Sequence, residues 1–210
     1  MRKKKQIQRR RTPAQQRARD TVEAIVEAAA QVFARHGYAA GTTNRIAARA
    51  GVSVGSVYQY FPNKDALLVA VHMKHQAEGQ LIVAGLLDDW NRQPGDLKAK
   101  LRRFLTELVA MHTRSPDLHR VLFEEAPRPP SVQQSHREFD RQVMRRTAKL
   151  LRESPDVDVP DPDCAAFIIS QAVECLAHQF ALHPPPRFAE GAFVDEVAEL
   201  LQRYLQRGRG

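Results

Sequence analysis

The 210-residue chain is 43% hydrophobic and carries a formal net charge of +8. It is long enough to bury a sizeable core, and its two cysteines exclude a disulfide framework. The positive charge lies at one end, because residues 1 to 64 hold 13 basic and three acidic residues while residues 65 to 210 have a net charge of −2. This division is typical of a protein in which one module binds a polyanion and the other module does not.

The first 19 residues are basic and almost free of apolar side chains, which predicts a disordered basic arm. No stretch approaches 18 uninterrupted apolar residues, and the N-terminus lacks the apolar core of a secretory signal. We therefore expect a cytoplasmic protein without a membrane partner.

Capping residues and glycines mark the first two helices. Asp20 begins a first helix, whose apolar residues recur at helical spacing until Gly37 ends it. Thr42 or Thr43 caps a short second helix, which ends at Gly51.

A third short helix follows a turn of about three residues. Ser53 caps it, Pro62 stops it, and Asn63 then caps a much longer fourth helix that begins at Lys64. Two short helices joined by a tight turn that contains Gly51 form a helix-turn-helix. Residues 20 to 64 are therefore predicted to be a DNA-binding domain.

Breaks rich in proline divide the rest of the chain, residues 65 to 210, into further segments of helical length. After the fourth helix these are Leu97 to Thr113, Asp117 to Glu125, Val132 to Arg152, Asp163 to His183 and Phe188 to Arg207. No alternation of valine, isoleucine and threonine indicates a sheet. The sequence thus predicts an all-α fold of about nine helices, with residues 65 to 210 as a larger second domain.

The last two helices are apolar over most of their circumference, which predicts burial on two sides. A partner chain could cover one side, forming a four-helix interface with two-fold symmetry, or the pair could be the domain's own core. The interface residues predicted on the first reading are Phe167, Ile168, Cys175, Val194, Val197, Leu201 and Tyr204.

The third helix carries the side chains suited to read DNA. Val57 and Phe61 are one turn apart and are expected to pack inward, which leaves the other residues facing outward or sideways. Gly55 allows close entry into the major groove, Gln59 offers an amide to a base edge, and Val54 can touch a thymine methyl group.

Hydroxyls and cations on the flanks suit the DNA backbone. Tyr58 and Tyr60 can bond to phosphate oxygens, Lys64 adds a cation at a helix N-terminus, and Thr43 with Arg45 can hold the opposite strand. The predicted DNA contacts are Thr43, Arg45, Ser53, Val54, Gly55, Ser56, Tyr58, Gln59, Tyr60 and Lys64.

These residues stand in the run TTNRIAARAGVSVGSVYQYFPNKDALL, which resembles the N-terminal signature of the TetR family of bacterial transcriptional regulators. The resemblance covers residues 18 to 71 and implies an all-helical homodimer that dimerises through its last two helices. It implies phosphate contacts by Thr43, Ser56, Tyr58, Tyr60 and Lys64, and base contacts by Val54, Gly55 and Gln59. Val54 departs from the family, where a basic residue is often found, and the basic arm is longer than the family minimum.

The resemblance also implies a cavity in the second domain, where a small-molecule effector shifts the fourth helix and releases the operator. Apolar, bulky or adaptable side chains on the central helices are the candidates to line it, although each could be ordinary core. They are Phe104, Leu108, Met111, Phe123, Met144 and Cys175. All six candidates are uncharged, which favours an apolar or aromatic effector.

Metal and thiol chemistry have little support in the sequence. The candidate ligand or thiol pairs are His72 with His75, His112 with His119, and Cys164 with Cys175. None makes a set of three or four ligands at metal-binding spacing. We therefore predict no metal, no cofactor and no thiol switch.

Two other classes of function compete with a regulator. An enzyme is disfavoured because no nucleophile-elbow, zincin, P-loop or dinucleotide motif is present. A non-specific nucleoid protein would bind through the basic arm alone, with steep salt sensitivity and little sequence preference. The sequence favours an operator-binding repressor released by a small molecule, and activation stays open because the chain does not encode the operator's position.

Overall fold

The computed structural model describes residues 13 to 92, 95 to 187 and 189 to 206. The helices in these ranges are α1 (Pro13–Ala40), α2 (Thr43–Ala50), α3 (Val54–Tyr60), α4 (Lys64–Asp89), α5 (Leu97–Thr113), α6 (Pro116–Arg120), α7 (Pro130–Glu153), α8 (Pro162–Leu182) and α9 (Glu190–Leu205). A 3-10 turn follows α4, and a π-helical turn (Val121–Glu125) follows α6. The described residues contain no strand beyond an isolated bridge, which confirms the all-α prediction.

The described residues form two compact units, and the chain passes from one to the other between Val71 and His72. The sequence placed the boundary after Lys64, at the start of α4, whereas the structure divides the chain within α4, after Val71. The first turns of α4 belong to the first unit because Leu67 and Leu68 are buried in its core.

The first helix starts earlier than the sequence indicated. Residues 13 to 19, assigned above to a disordered arm, are the first turns of α1. A side-chain hydrogen bond of 2.7 Å from Gln16 to Asp20, one turn apart, supports this extension. The remainder of the predicted arm, residues 1 to 12, lies outside the described residues.

The core of the first unit joins one face of α1 to α2, α3 and the start of α4. Its buried apolar side chains include Ile25, Ala29, Phe33, Ile46, Val57, Leu67 and Leu68. The α1 members recur at spacings of four residues, as expected for the inner face of an amphipathic helix.

Two glycines determine where the helices of the first unit end. Gly37 has φ 73° and interrupts the regular helix inside α1, while Gly51 has φ 70° and ends α2. Both angles lie in the left-handed region that other residues rarely adopt. Close packing restricts a third glycine, because a Cβ on Gly41 would lie 2.5 Å from the Phe33 ring.

The second unit has its own core, in which α5 packs against α8 and α9 and α7 packs against α8. Ion pairs from Lys98 to Glu199 and from Arg102 to Asp195 follow the contact between α5 and α9. The central residues of this core include Leu101, Leu105, Val109, Ala166, Val173, Ala198 and Leu205.

Three residues predicted for the dimer interface lie in this core instead. Val194, Val197 and Leu201 are buried within a single chain. The wide apolar arc of α9 therefore does not need a partner chain to cover all of it, because α5 covers one side. Sequence periodicity indicated how much of α9 is buried but not which element covers it.

By length and composition alone, α8 could cross a membrane, with a mean hydropathy of 1.3 over 18 residues. The core helix of a soluble protein passes the same test, so one such helix is weak evidence for a membrane span. Ala165, Ala166 and Ile169 of α8 are buried in the core of the second unit.

Candidate nucleic-acid interface

Helices α2 and α3 form a helix-turn-helix whose ends are capped by the predicted residues. The Thr42 hydroxyl accepts a hydrogen bond from the Arg45 amide at 3.3 Å, which begins α2. The Ser53 hydroxyl accepts one from the Ser56 amide at 3.0 Å, which begins α3. The Asn63 side chain caps α4 in the same way. Each cap satisfies backbone amides that the helix itself leaves unpaired.

Burial on one side of α3 determines which of its residues face solvent. Val57 and Phe61 are buried, as predicted from their one-turn spacing. Gly55, Tyr58 and Gln59 are exposed. Val54, Ser56 and Tyr60 are half-buried and flank this exposed surface. The exposed surface of α3 thus combines a small residue, an amide and a hydroxyl.

Positive charge around this surface is not offset by nearby acids in the sequence. Residues 28 to 64 contain three arginines and one lysine but no aspartate or glutamate. Arg45 and Arg49 of α2 are both exposed. Such a segment attracts a phosphate backbone, whatever the base sequence.

A contact between two hydroxyls links the two helices at the surface. The Thr43 hydroxyl oxygen lies 3.2 Å from that of Tyr58, within hydrogen-bonding distance. Tyr58 has 51% of its surface exposed, so its ring is not held in place by burial. The contact places two predicted phosphate ligands, one from each helix, side by side.

The predicted cations are already engaged with backbone carbonyls. Arg45 donates from Nη1 to the carbonyl oxygen of Ala40 at 2.7 Å. Lys64 donates from Nζ to the carbonyl oxygens of Tyr38 at 2.9 Å and Ala39 at 3.2 Å, and it lies 4.1 Å from the Tyr38 ring centre. Lys64 therefore stabilises the end of α1, a role that sequence reasoning missed.

Tyr38 also contacts α4 through its hydroxyl, which donates to the Asp65 carboxylate. Burial and the hydrogen bond to this carboxylate raise the pKa of Tyr38 to about 12. Asp65 is the first acidic residue after the acid-free segment. Its charge is directed at Tyr38, at the end of α1.

The six residues proposed to line an effector cavity lie in different environments. Leu108 is part of the core of the second unit, and Phe104, Met111 and Met144 pack against that core while half-buried. Cys175 is exposed. Phe123 lies on the π-helical turn after α6, away from the central apolar cluster and among histidines.

The predicted dimer residues likewise divide by exposure. Phe167 and Ile168 on α8 have 55% and 43% of their surface exposed, and Cys175 is exposed on the same helix. Tyr204 on α9 is half-buried. Leu200 on α9 is 60% exposed and was missed, because an apolar residue in a wide apolar arc gives no sign of which way it faces.

Sequence reasoning missed a group of histidines in the second unit. The six histidines gathered here are His72, His75, His112, His119, His136 and His178, and five of their rings lie within 6.2 Å of the Phe123 ring centre. They come from α4, α5, α6, α7 and α8. Their spacing in sequence gives no signal for this convergence.

Comparisons with known proteins agree with the helix-turn-helix and with the architecture of the second unit. The model of bacterial regulatory proteins of the tetR family matches residues 25 to 71, and the tetracyclin repressor-like C-terminal domain matches residues 96 to 205. The chain belongs to the TetR family. It is therefore a helix-turn-helix transcriptional regulator, in a family whose members are not enzymes.

Relatives of known name and structure share this organisation. The HTH-type transcriptional repressor SCO4008 of Streptomyces coelicolor is 28% identical over 153 residues, which are 70% of this chain and 74% of that protein. NalD, the secondary repressor of the MexAB-OprM multidrug efflux pump in Pseudomonas aeruginosa, has a TM-score of 0.68 at 19% identity, with 92% and 99% of the two chains covered.

FadR from Bacillus subtilis, in complex with stearoyl-CoA, has a TM-score of 0.65 at 20% identity, with 87% and 98% of the two chains covered. At these identities the two solved structures show a shared fold. TetR regulators are soluble proteins of the cytoplasm that bind operator DNA, act as dimers and bind small-molecule effectors.

Proposed function

We propose that this protein is a cytoplasmic transcriptional repressor that binds its operator as a homodimer and leaves it when a small molecule binds the second unit. Each α3 would enter a major groove, and the two grooves would be roughly 34 to 36 Å apart, one helical turn of DNA. The similarity to SCO4008, which is named a repressor, supports repression over activation.

The single observation that carries this proposal is the exposed, acid-free surface of α2 and α3. Gly55 and Gln59 are open to solvent at positions where a major-groove helix meets bases. The adjacent Thr43 and Tyr58 hydroxyls suit the phosphates that position the helix. A helix serving only the protein's own stability would show charged residues to water instead.

Exposed apolar residues on α8 and α9 support a homodimer. Phe167 and Ile168 face outward from α8, and Leu200 faces outward from α9. Large exposed apolar side chains on the two helices that pair in this family favour an interface there. This set keeps the predicted Phe167 and Ile168, adds Leu200 and leaves out the buried Val194, Val197 and Leu201.

Unpaired polar groups on α4 support an effector site in the second unit. His72 and Gln76, one turn apart, are both buried, and among the described residues neither His72 Nε2 nor the Gln76 amide has a hydrogen-bond partner. Burial lowers the pKa of His72 to about 4, which keeps the ring neutral at pH 7. Phe123 lies beside His72, with ring centres 6.1 Å apart.

This arrangement suits a ligand that is mostly apolar or aromatic and carries a polar group for Gln76. FadR from Bacillus subtilis was solved with stearoyl-CoA, which makes long-chain acyl-CoA one class to include among candidates. Because α4 belongs to both units, a ligand that displaces α4 would change the spacing between the two α3 helices of the homodimer. Coupling of about 1 to 3 kcal/mol would suffice for release.

The test of DNA binding is fluorescence anisotropy on duplex DNA from immediately upstream of the gene, against a scrambled duplex of equal length. Salt should be varied from roughly 50 to 300 mM, because phosphate contacts weaken steeply over that range. We expect a preference for the upstream duplex that persists at high salt. If the upstream duplex is not preferred, the DNA fragments that the protein binds should be selected from the whole genome.

A preferred sequence from that selection would support the regulator, and binding without preference would contradict it in favour of a nucleoid protein.

The test of the effector site is ligand-shift melting with apolar, aromatic, charged and acyl-CoA compounds on the wild type and on Gln76→Leu. We expect Gln76→Leu alone to raise Tm, because it removes an unpaired buried amide. A compound that stabilises the wild type should stabilise this variant less. Equal stabilisation of both would place the effector elsewhere.

A further inference from the structure

Three histidines of the second unit converge on one point. His119 Nε2 in α6 lies 2.9 Å from His178 Nδ1 in α8 and 3.2 Å from His112 Nδ1 in α5. One ring nitrogen from each of the three histidines lies within 4.8 Å of the other two. The three residues come from different helices, so tertiary packing alone brings these nitrogens together.

Hydrogen bonding among the three rings does not account well for this arrangement. A neutral imidazole has one nitrogen that donates and one that accepts through a single in-plane lone pair. His119 Nε2 faces two nitrogens at once, so as an acceptor it has one lone pair for two donors. As a donor it has one proton for two lone pairs. Either way, one of the two short contacts is poorly satisfied.

Burial keeps the rings in the form that binds metals. His119 and His112 have only 1% and 4% of their surface exposed. Burial disfavours the charged imidazolium form of such rings. Neutral imidazoles are the ligands that divalent transition metals prefer, because the lone pair is free.

Two further side chains are placed as outer partners of the three rings. His75 Nε2 lies 3.3 Å from His119 Nδ1, on the opposite side of the ring from the converging nitrogens. Glu174 Oε2 lies 3.6 Å from His112 Nε2, slightly beyond hydrogen-bonding distance. Histidine ligands of metals commonly form a hydrogen bond through their second nitrogen, as His119 does here, which fixes the ring and strengthens the ligand. Among the described residues, His112 Nε2 is buried without a hydrogen-bond partner, and the Glu174 carboxylate is placed beside it.

The distances also suit a metal. Zinc binds imidazole nitrogens at about 2.0 to 2.1 Å, so two ligands at a tetrahedral angle are about 3.3 Å apart. The two short contacts, 2.9 and 3.2 Å, are near that value. Three histidines leave a coordination position open, and His178, the least buried of the three, is half-exposed towards solvent.

We propose that His112, His119 and His178 bind one divalent transition-metal ion of the zinc type, with His75 and Glu174 orienting the ligands. The site is separate from α2 and α3, and the proposal does not depend on DNA binding. A purely structural network of hydrogen-bonded histidines is the alternative, and it predicts no affinity for metal.

The experiment titrates purified full-length protein, first stripped with a chelator, with Zn²⁺ and separately with Co²⁺, using calorimetry, Co²⁺ absorption and Tm. We expect one ion per chain, the absorption of histidine-ligated Co²⁺ and a Tm increase of several degrees. His178→Gln should lower affinity by at least the roughly tenfold to hundredfold that the loss of an outer-shell partner costs, because it removes a direct ligand. His178 is chosen because it is the least buried of the three, so the variant should fold.

The control is His183→Gln. His183 directly follows α8, and its side chain pairs with Glu124 and not with the three clustered histidines. The variant should bind the ion as the wild type does. Absence of stoichiometric binding, or equal loss in both variants, would overturn the proposal and favour the hydrogen-bonded network. If His178→Gln unfolds, His112→Asn and His119→Gln can be compared with His183→Gln in the same way. The number of ions bound per wild-type chain is a test by itself, because a value near zero refutes the site.

Discussion

The Tyr58 hydroxyl in α3 lies 3.2 Å from the Thr43 hydroxyl in α2, so the two helices meet at the surface through a polar contact. Tyr58→Phe removes this hydroxyl but leaves the ring. Because Tyr58 is exposed and Thr43 is half-buried, we expect Tm to change little. DNA affinity should fall several-fold for every sequence alike, since a phosphate contact carries no base information. Anisotropy on operator and scrambled duplexes checks this, and a loss confined to the operator would contradict the phosphate role.

Gln59 is exposed on α3 and is expected to read a base edge. Gln59→Ala should cost about 1 to 3 kcal/mol on the operator and relax discrimination at one base pair. Binding to operators altered one pair at a time measures this. Tyr58→Phe is the matched control, because it should weaken binding without changing preference. Equal loss on all sites with Gln59→Ala would exclude base reading.

Lys64 is expected to contribute to stability as well as to DNA binding, because its ammonium group bonds to the carbonyls of Tyr38 and Ala39. Lys64→Ala should reduce the free energy of unfolding by about 1 to 2 kcal/mol. It should also lower the salt slope of DNA binding by about one unit. Urea unfolding and anisotropy measure the two effects.

Arg49→Ala is the charge-matched control for Lys64, since Arg49 is exposed on α2 in the same unit. It should leave the unfolding midpoint nearly unchanged. A Lys64→Ala protein as stable as the Arg49→Ala protein would show that the carbonyl contacts contribute nothing.

Gly41 is packed against Phe33, with 2.5 Å between a Cβ at this position and the ring. Gly41→Ala should therefore destabilise the first unit by about 1 to 3 kcal/mol through overpacking. Gly55→Ala is the control, because its Cβ would meet only Ser53 Oγ at 3.7 Å. The Gly55 variant should keep its stability yet bind DNA more weakly, since a methyl group would stand between α3 and the bases. Urea unfolding of both variants makes the comparison.

Phe167 is exposed on α8 and is expected to be covered in a homodimer. Phe167→Asp should shift the protein towards monomer and weaken operator binding, because a buried carboxylate without a partner is costly. Sedimentation equilibrium measures the shift. Leu81→Asp is the control, since Leu81 is 75% exposed on α4. Equal dissociation of both variants, or of neither, would place the interface elsewhere.

The sequence by itself determined α2, α3 and the start of α4 in the first unit, and which side of α3 faces solvent. Thr42, Gly51 and Ser53 act within a few residues of their own position, so their capping roles follow from local chemistry. The exposed and buried sides of α3 follow from the spacing of Val57 and Phe61. Such signals depend on contacts three or four residues apart, which a sequence displays directly.

Only the tertiary structure decided which long-range partners meet. Periodicity could not tell that Val197 is buried in the core of the second unit while Leu200, three residues away, faces solvent. Nor could it place Lys64 on the carbonyls at the end of α1. His119 and His178 are 59 residues apart and touch only because α6 and α8 pack together. Packing between helices depends on the shapes of whole surfaces, and no short stretch of sequence contains that information.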